Sequence, residues 1–163
     1  MLRLYLLRHG IPADGTDPPL SEEGAAVMER AARGMARLGI TFDLVLSSPL
    51  RRAEETARIV AGVTTVAGGQ ARVRIEPQLV GGCSASALLG LLAAHPSSGS
   101  VLSVLIVGHQ PDMGRIAAEL TGSDGSLPFG RGTLCCLELA DRVTSGSASL
   151  VFLMPADLLA RAG

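Results

Sequence analysis

Two histidines stand directly after apolar runs: His9 in LYLLRHG (4–10) and His109 in VLIVGHQ (104–110). Arg8 precedes the first, and Arg51 and Arg52 follow Ser47-Ser48-Pro49 at the start of a helical stretch. Guanidinium forks match phosphate oxygens two at a time. A helix N-terminus adds free N–H groups and partial positive charge, which suit an anion. A histidine inside a cationic cluster has its imidazolium form disfavoured, so it stays neutral and nucleophilic near neutral pH. These residue types describe a phosphate site with a histidine able to accept a phosphoryl group. Clamping cations supply most of the catalysis there, because the transition state spreads charge over three equatorial oxygens.

The elements that position these residues alternate. Leu2–Leu7 reads as a strand, and the Pro/Gly/Asp segment 11–20 as a loop. Ser21 caps a helix with Glu22 and Glu23 in its first turn, and Met28, Ala32 and Met35 recur at helical spacing to about Leu38. Asp43–Ser47 reads as a strand, with Ser48 as N-cap and Pro49 as first residue of the next helix. Gly68-Gly69 breaks the pattern before a short strand at Arg72–Glu76. A helix over Ser84–Ala94 and a turn at Ser97–Ser100 lead to the strand Val101–Val107, apolar enough to be central. Gln110-Pro111 opens a helix that stops at Gly122, and Thr133–Leu139 and Ser149–Met154 form a hairpin. The order implies a three-layer α/β/α fold, a mostly parallel sheet of about six strands, in one domain over residues 1–163. In such sheets ligands bind beyond the carboxyl ends of the strands, where Arg8, His9, His109 and at least one of Arg51 and Arg52 fall.

Composition narrows the chemistry. All 14 basic residues are Arg, and the chain has no Lys, Asn or Trp. A P-loop, a Schiff-base enzyme and a protein kinase each need a lysine. A Cys-His-Asn triad needs the missing Asn. A net charge of −1 and four aromatic rings (Tyr5, Phe42, Phe129, Phe152) argue against nucleic acid as partner. No apolar run approaches the ~20 residues of a membrane helix. The N-terminus lacks a signal peptide's pattern, so a cytoplasmic location is expected. Three cysteines, two of them adjacent, read as buried apolar residues.

The motifs LYLLRHG (4–10), PLSEEG (19–24), LVLSSPLRRAEETA (44–57) and VLIVGHQPDMGRIAAELTG (104–122) together resemble the histidine phosphatase (phosphoglycerate mutase-like) superfamily, most of all its small SixA-type phosphohistidine phosphatases. The resemblance implies a phosphoglycerate mutase-like fold and a metal-independent phosphatase without cofactor. It makes His9 the phosphate-accepting nucleophile and Arg8 its phosphoryl-binding neighbour. The pocket arginine is the one immediately before Ala, Arg52 rather than Arg51. His109 donates a hydrogen bond to the transferring group, and the Gln110 backbone N–H points toward the phosphate.

The match departs at the proton donor. The segment EPQLVGG (76–82) lacks the glutamate of one branch, and Gln110 stands where another has aspartate. Lacking a general acid costs ~10²–10⁴ in rate for a poor leaving group, and less for the imidazole of a phosphohistidine. Asp14, Asp17 and Asp112 are near enough in sequence to substitute. The leading expectation is hydrolysis of a protein phosphohistidine. A small-molecule phosphomonoesterase and a non-catalytic phosphate- or phosphoprotein-binding module are the alternatives, and oligomeric state stays open. His95 reads as structural, Ser21, Ser48 and Pro49 as capping residues. Arg30, Arg33, Arg37, Arg51 and Arg58 read as solvated helix faces. Glu54 and Glu55, following Arg51 and Arg52 on the same helix, read as surface ion-pairing residues, Glu55 being also spaced to orient Arg52.

Overall fold

The structure, a computed structural model, describes residues 1–66, 69–70, 72–95 and 102–162. The apolar segment Leu2–Arg8 forms β1, and Ser21 caps α1 (Glu22–Arg37) by accepting the Gly24 N–H at 2.9 Å. Next come β2 (Leu44–Ser47), α2 (Arg51–Val63), a two-residue pair β3 (Thr65–Val66) and β4 (Gly69–Gln70), and β5 (Arg72–Ile75). Then follow α3 (Ala85–Ala93), β6 (Leu102–Gly108), α4 (Asp112–Thr121), β7 (Leu134–Leu139), β8 (Ser149–Met154) and α5 (Ala156–Arg161).

The main sheet has six strands in the order β5-β2-β6-β1-β7-β8. The β5–β2, β2–β6 and β6–β1 pairs are parallel, and the β1–β7 and β7–β8 pairs antiparallel. Two buried apolar clusters cover its faces. One gathers Met28, Ala32, Ala53, Ala57 and Leu159 from α1, α2 and α5, the other Leu88, Leu92, Ile116 and Leu120 from α3 and α4. This is the three-layer arrangement expected. Strand alternation explains it: Leu4 and Leu6 enter one cluster, Tyr5 and Leu7 the other.

Three local expectations change. The helix after β2 begins at Arg51, with Leu50 as its N-cap, not at Pro49 after a Ser48 cap. The Ser48 N–H still donates to Val107 O at 3.0 Å, so the chain must turn through Pro49 and Leu50 before coiling. The two-residue β3–β4 pair and α5 carry too little periodicity to be read from sequence. Helix α5 depends on Gly34 of α1, where a Cβ would strike the Leu159 carbonyl. The turn at Ser97–Ser100 and the first residue of the central strand, Val101, lie outside the described residues, as does Gly68. No helix among the described residues is long and apolar enough to cross a membrane.

Candidate active site

Parallel register builds the site. Arg8 pairs with Gly108 across β1 and β6, so the next residues, His9 and His109, emerge side by side. Their ring centroids are 5.1 Å apart at a 55° tilt. Ser47 pairs with Val107, which brings Ser48 up beside the same rings. Both histidines are buried, at 5% and 7% exposure.

The His9 ring has a defined tautomer. Its Nδ1 lies 2.7 Å from the Gly10 carbonyl, which can only accept, so Nδ1 carries the proton. The lone pair is therefore on Nε2, to which Arg52 Nε donates at 3.2 Å. Burial pushes the His9 pKa down to about 4; the Gly10 hydrogen bond opposes this, and His109, Arg52 and Arg8 add to it. His109 is likewise lowered to about 4, by burial first and then by Arg52. Both rings are neutral near pH 7.

His109 Nε2 lies 2.7 Å from Ser48 Oγ. That hydroxyl also accepts the Leu50 N–H at 3.2 Å and can give its own proton to His109 Nε2. The ring proton then sits on Nδ1, which is buried with no partner. Arg8 donates through Nη1 to Phe129 O at 2.9 Å, while its buried Nε also has no partner. Unpartnered buried donors are rare and call for a ligand. Burial, then Arg131, then Arg52 lower the Arg8 pKa.

These groups open on a cleft of about 430 Å³ lined by Arg8, His9, Pro12, Gly15, Asp17, Pro18, Arg52, His109, Gln110 and Arg131. The structure thus gathers Arg8, His9, Arg52, His109 and Gln110 in one place. Gln110 Oε1 accepts the Gly114 N–H at 2.8 Å, which ties it to the first turns of α4. Of the three candidate acids, Asp17 lines the cleft, its Oδ1 accepting the Arg51 N–H at 3.0 Å. Asp112 is turned away, accepting the Cys83 N–H at 3.1 Å beside a different cavity, and Asp14 is exposed outside the cleft lining. Arg51 is exposed on the outer face of α2, and His95 sits by Arg74 and Glu76. Among the described residues no group of three His, Cys, Asp or Glu could hold a metal ion.

Sequence reasoning missed three residues. Ser48 is not the helix cap; its hydroxyl hydrogen-bonds His109 instead. Thr56, fully buried, accepts the Gly10 N–H at 3.1 Å and donates to Arg52 O at 2.7 Å, locking α2 against the loop behind His9. Its place one turn after Arg52 was the available signal. Glu55 does not orient Arg52; its Oε2 accepts the Leu20 N–H at 2.8 Å and ties down the loop over the site. The third, Arg131, comes from the far end of the chain.

The sequence model of the Histidine phosphatase superfamily (branch 1) matches residues 4–80. An uncharacterized protein of Picosynechococcus sp. is 33% identical over 128 residues, 73% of this chain and 73% of its own. The solved structure of the protein histidine phosphatase SixA complexed with tungstate is similar with a TM-score of 0.82 at 24% identity, covering 96% of this chain and 99% of that one. A mutant phosphoserine phosphatase of Entamoeba histolytica in complex with phosphoserine gives 0.70 at 17% identity, covering 96% and 98%. At these identities the likeness to both structures is one of fold.

Proposed function

Because the chain belongs to the histidine phosphatase superfamily, we propose that it is a phosphatase working through phospho-His9, with a protein phosphohistidine as substrate. The observation that carries this reading is the His9 Nε2 lone pair, held by a defined tautomer beside Arg8 and Arg52. Neither guanidinium group is ion-paired among the described residues. They are kept for an anion that arrives with the substrate.

The Nε2 lone pair attacks phosphorus, the substrate P–N bond breaks, and its electron pair leaves with the imidazole, which takes up a proton. Arg8 Nε and His109 Nδ1–H fill their open valences on the phosphoryl oxygens, and Arg52 shifts from Nε2 to the same group. Water then attacks phosphorus, the P–Nε2 bond breaks, and inorganic phosphate departs with His9 neutral again. An imidazole leaving group needs little help from an acid.

A small-molecule phosphomonoester is the second reading, favoured by Asp17 as the one carboxylate lining the cleft among the described residues. To decide, the protein is incubated with a phosphohistidine-bearing phosphocarrier protein and with sugar phosphates. Turnover of the first alone supports the proposal. Turnover of the second that disappears in Asp17→Asn favours the phosphomonoester. Acid-labile phosphate should appear on His9 and be absent in His9→Ala, with activity down about 10⁴-fold or more. Tight phosphate binding without turnover of anything overturns both enzyme readings.

A further inference from the structure

The third cation of the cleft stands apart from the other two. Arg131 is the second residue of the turn Gly130–Thr133, closed by Thr133 N–H donating to Gly130 O at 3.0 Å. The next position, Gly132, has φ of +75°, which suits glycine, and a Cβ there would meet Ala156 and Met28. The turn is fastened to the end of β1. Gly132 N–H lies 3.0 and 3.1 Å from the carbonyls of Arg8 and His9, and Arg8 N–H donates to Thr133 O at 3.2 Å. The Arg8 side chain holds Phe129 O at 2.9 Å. The backbone of Arg131 is therefore set rigidly beside the His9 peptide.

Its side chain has no work within the fold. Arg131 is exposed, lines the cleft and makes no hydrogen bond or ion pair among the described residues. Its charge acts on Arg8 more strongly than that of Arg52 does. Two like charges held close by a rigid turn cost free energy until an anion comes between or beside them. The phosphoryl group is served from deeper in the cleft, by the buried Arg8 Nε and His109 Nδ1 and by Arg52 at His9. Arg131 lies at the solvent side of that ring of donors. Asp17, the one carboxylate of the cleft, is bonded to the Arg51 N–H instead of to a guanidinium.

We infer that Arg131 is a specificity-determining residue that pairs with a carboxylate carried by the substrate beside its phosphoryl group. This rests on the phosphate-site reading above and names a second feature the substrate must have. On a phosphoprotein the carboxylate is an Asp or Glu next to the phosphorylated side chain; on a small molecule it is part of the same compound.

The test reads binding first, so it does not depend on turnover. The intact protein is titrated calorimetrically with inorganic phosphate and with phosphonoacetate, as wild type, Arg131→Gln and Arg131→Lys. Wild type should prefer phosphonoacetate by roughly fivefold, the scale of a partly solvated charge-assisted pair. Arg131→Gln should lose that preference with phosphate affinity unchanged within about twofold, and Arg131→Lys should keep part of it. Equal weakening of both ligands would place Arg131 in the phosphoryl clamp and overturn the inference. So would a wild-type protein with no preference, or a preference that survives in Arg131→Gln. If neither anion binds, the phosphate site and the inference fall together. If both bind as expected but nothing is hydrolysed, only the phosphatase reading fails. A final arm compares kcat/KM for phosphohistidine peptides with and without a neighbouring Glu, and for phenyl phosphates with and without a ring carboxylate. Loss of discrimination in Arg131→Gln within one pair identifies which source the carboxylate has.

Discussion

Helix α2 carries arginines on two faces, and the fold treats them oppositely. On the outer face Arg58 meets Glu54 at 2.7 Å, one turn away, and both side chains are open to solvent. On the inner face Arg52, adjacent to Arg51 in sequence, reaches a histidine nitrogen and has no acidic partner among the described residues. The Arg58 charge is neutralised in place, where water screens the pair and makes it worth little. The inner charge is left uncompensated, which destabilises the empty site and strengthens its hold on an anion. In a chain where every basic residue is arginine, residue type distinguishes nothing. Half-burial beside a histidine nitrogen does.

The widest separation between the faces should come from truncating neighbours. Arg52→Ala removes the guanidinium next to His9 Nε2 and should lower kcat by about 10²–10³-fold, the usual loss for one group stabilising transition-state charge. Arg51→Ala, whose side chain lies outside the cleft, should stay within about twofold, keeping the backbone N–H that Asp17 accepts. Steady-state kinetics on a generic aryl phosphate measures both. Equal losses would erase the distinction.

The inner face was the more legible of the two, for a reason of geometry. A buried parallel strand is an uninterrupted apolar run, so its end is visible in sequence, and whatever follows it enters the site. This placed Arg8, His9 and His109 from their runs alone, while on the helix after β2 only the family resemblance chose Arg52 over Arg51. Arg131 was not legible in that way. It lies in neither motif nor strand end, but in the turn just before β7, and it reaches the site because β7 runs antiparallel to β1. The first residues of an antiparallel neighbour lie beside the last residues of β1. The hairpin β7–β8 was readable, but not which strand β7 would join. Ser48 was misread because a hydroxyl after a strand looks the same whether it caps a helix or, as here, holds a histidine. Helix α5 was missed because six residues with one close glycine contact leave no periodicity.

Acid should sharpen the comparison next. His9 and His109 fall from 6.5 to about 4 on folding, chiefly through burial. Between those values the unfolded chain binds protons that the native state refuses, so stability present above about pH 6.5 is lost as pH falls toward 4. Urea titrations across that window should show the loss, and His9→Gln with His109→Gln should flatten it. The acid limb of kcat/KM for the wild type should fall near pH 4, where His9 protonates. Arg52→Gln should move that limb upward, because Arg52 lowers both histidines, and Arg51→Gln should not. A wild-type limb near 6.5 would contradict the burial of His9.

A smaller effect is expected from the tie between the helix and the loop. Thr56→Val removes the acceptor of the Gly10 N–H without changing shape, and leaves that donor buried and unsatisfied. The cost should be about 1–3 kcal/mol in denaturant unfolding. Because Gly10 O receives the His9 Nδ1 proton, kcat should fall as well while KM holds. Loss of stability with kcat unchanged would make Thr56 a packing residue only.

The smallest effect belongs to the outer face. Glu54→Gln breaks its pair with Arg58, whose side chain is 61% exposed against 33% for Glu54. Solvated i,i+4 pairs contribute about 0.3–0.5 kcal/mol at low salt, and screening removes most of that in molar salt. Unfolding of Glu54→Gln should therefore differ from wild type by no more than that, converge with it as salt rises, and leave turnover untouched. The salt dependence matters more than the size. At the inner face a phosphoryl anion must still find uncompensated guanidinium groups out of bulk water, and its binding should weaken with salt while the free protein's stability barely responds. If Glu54→Gln altered kcat/KM at constant stability, the outer pair would be communicating with Arg52 along α2, and the two faces could no longer be treated as separate regions.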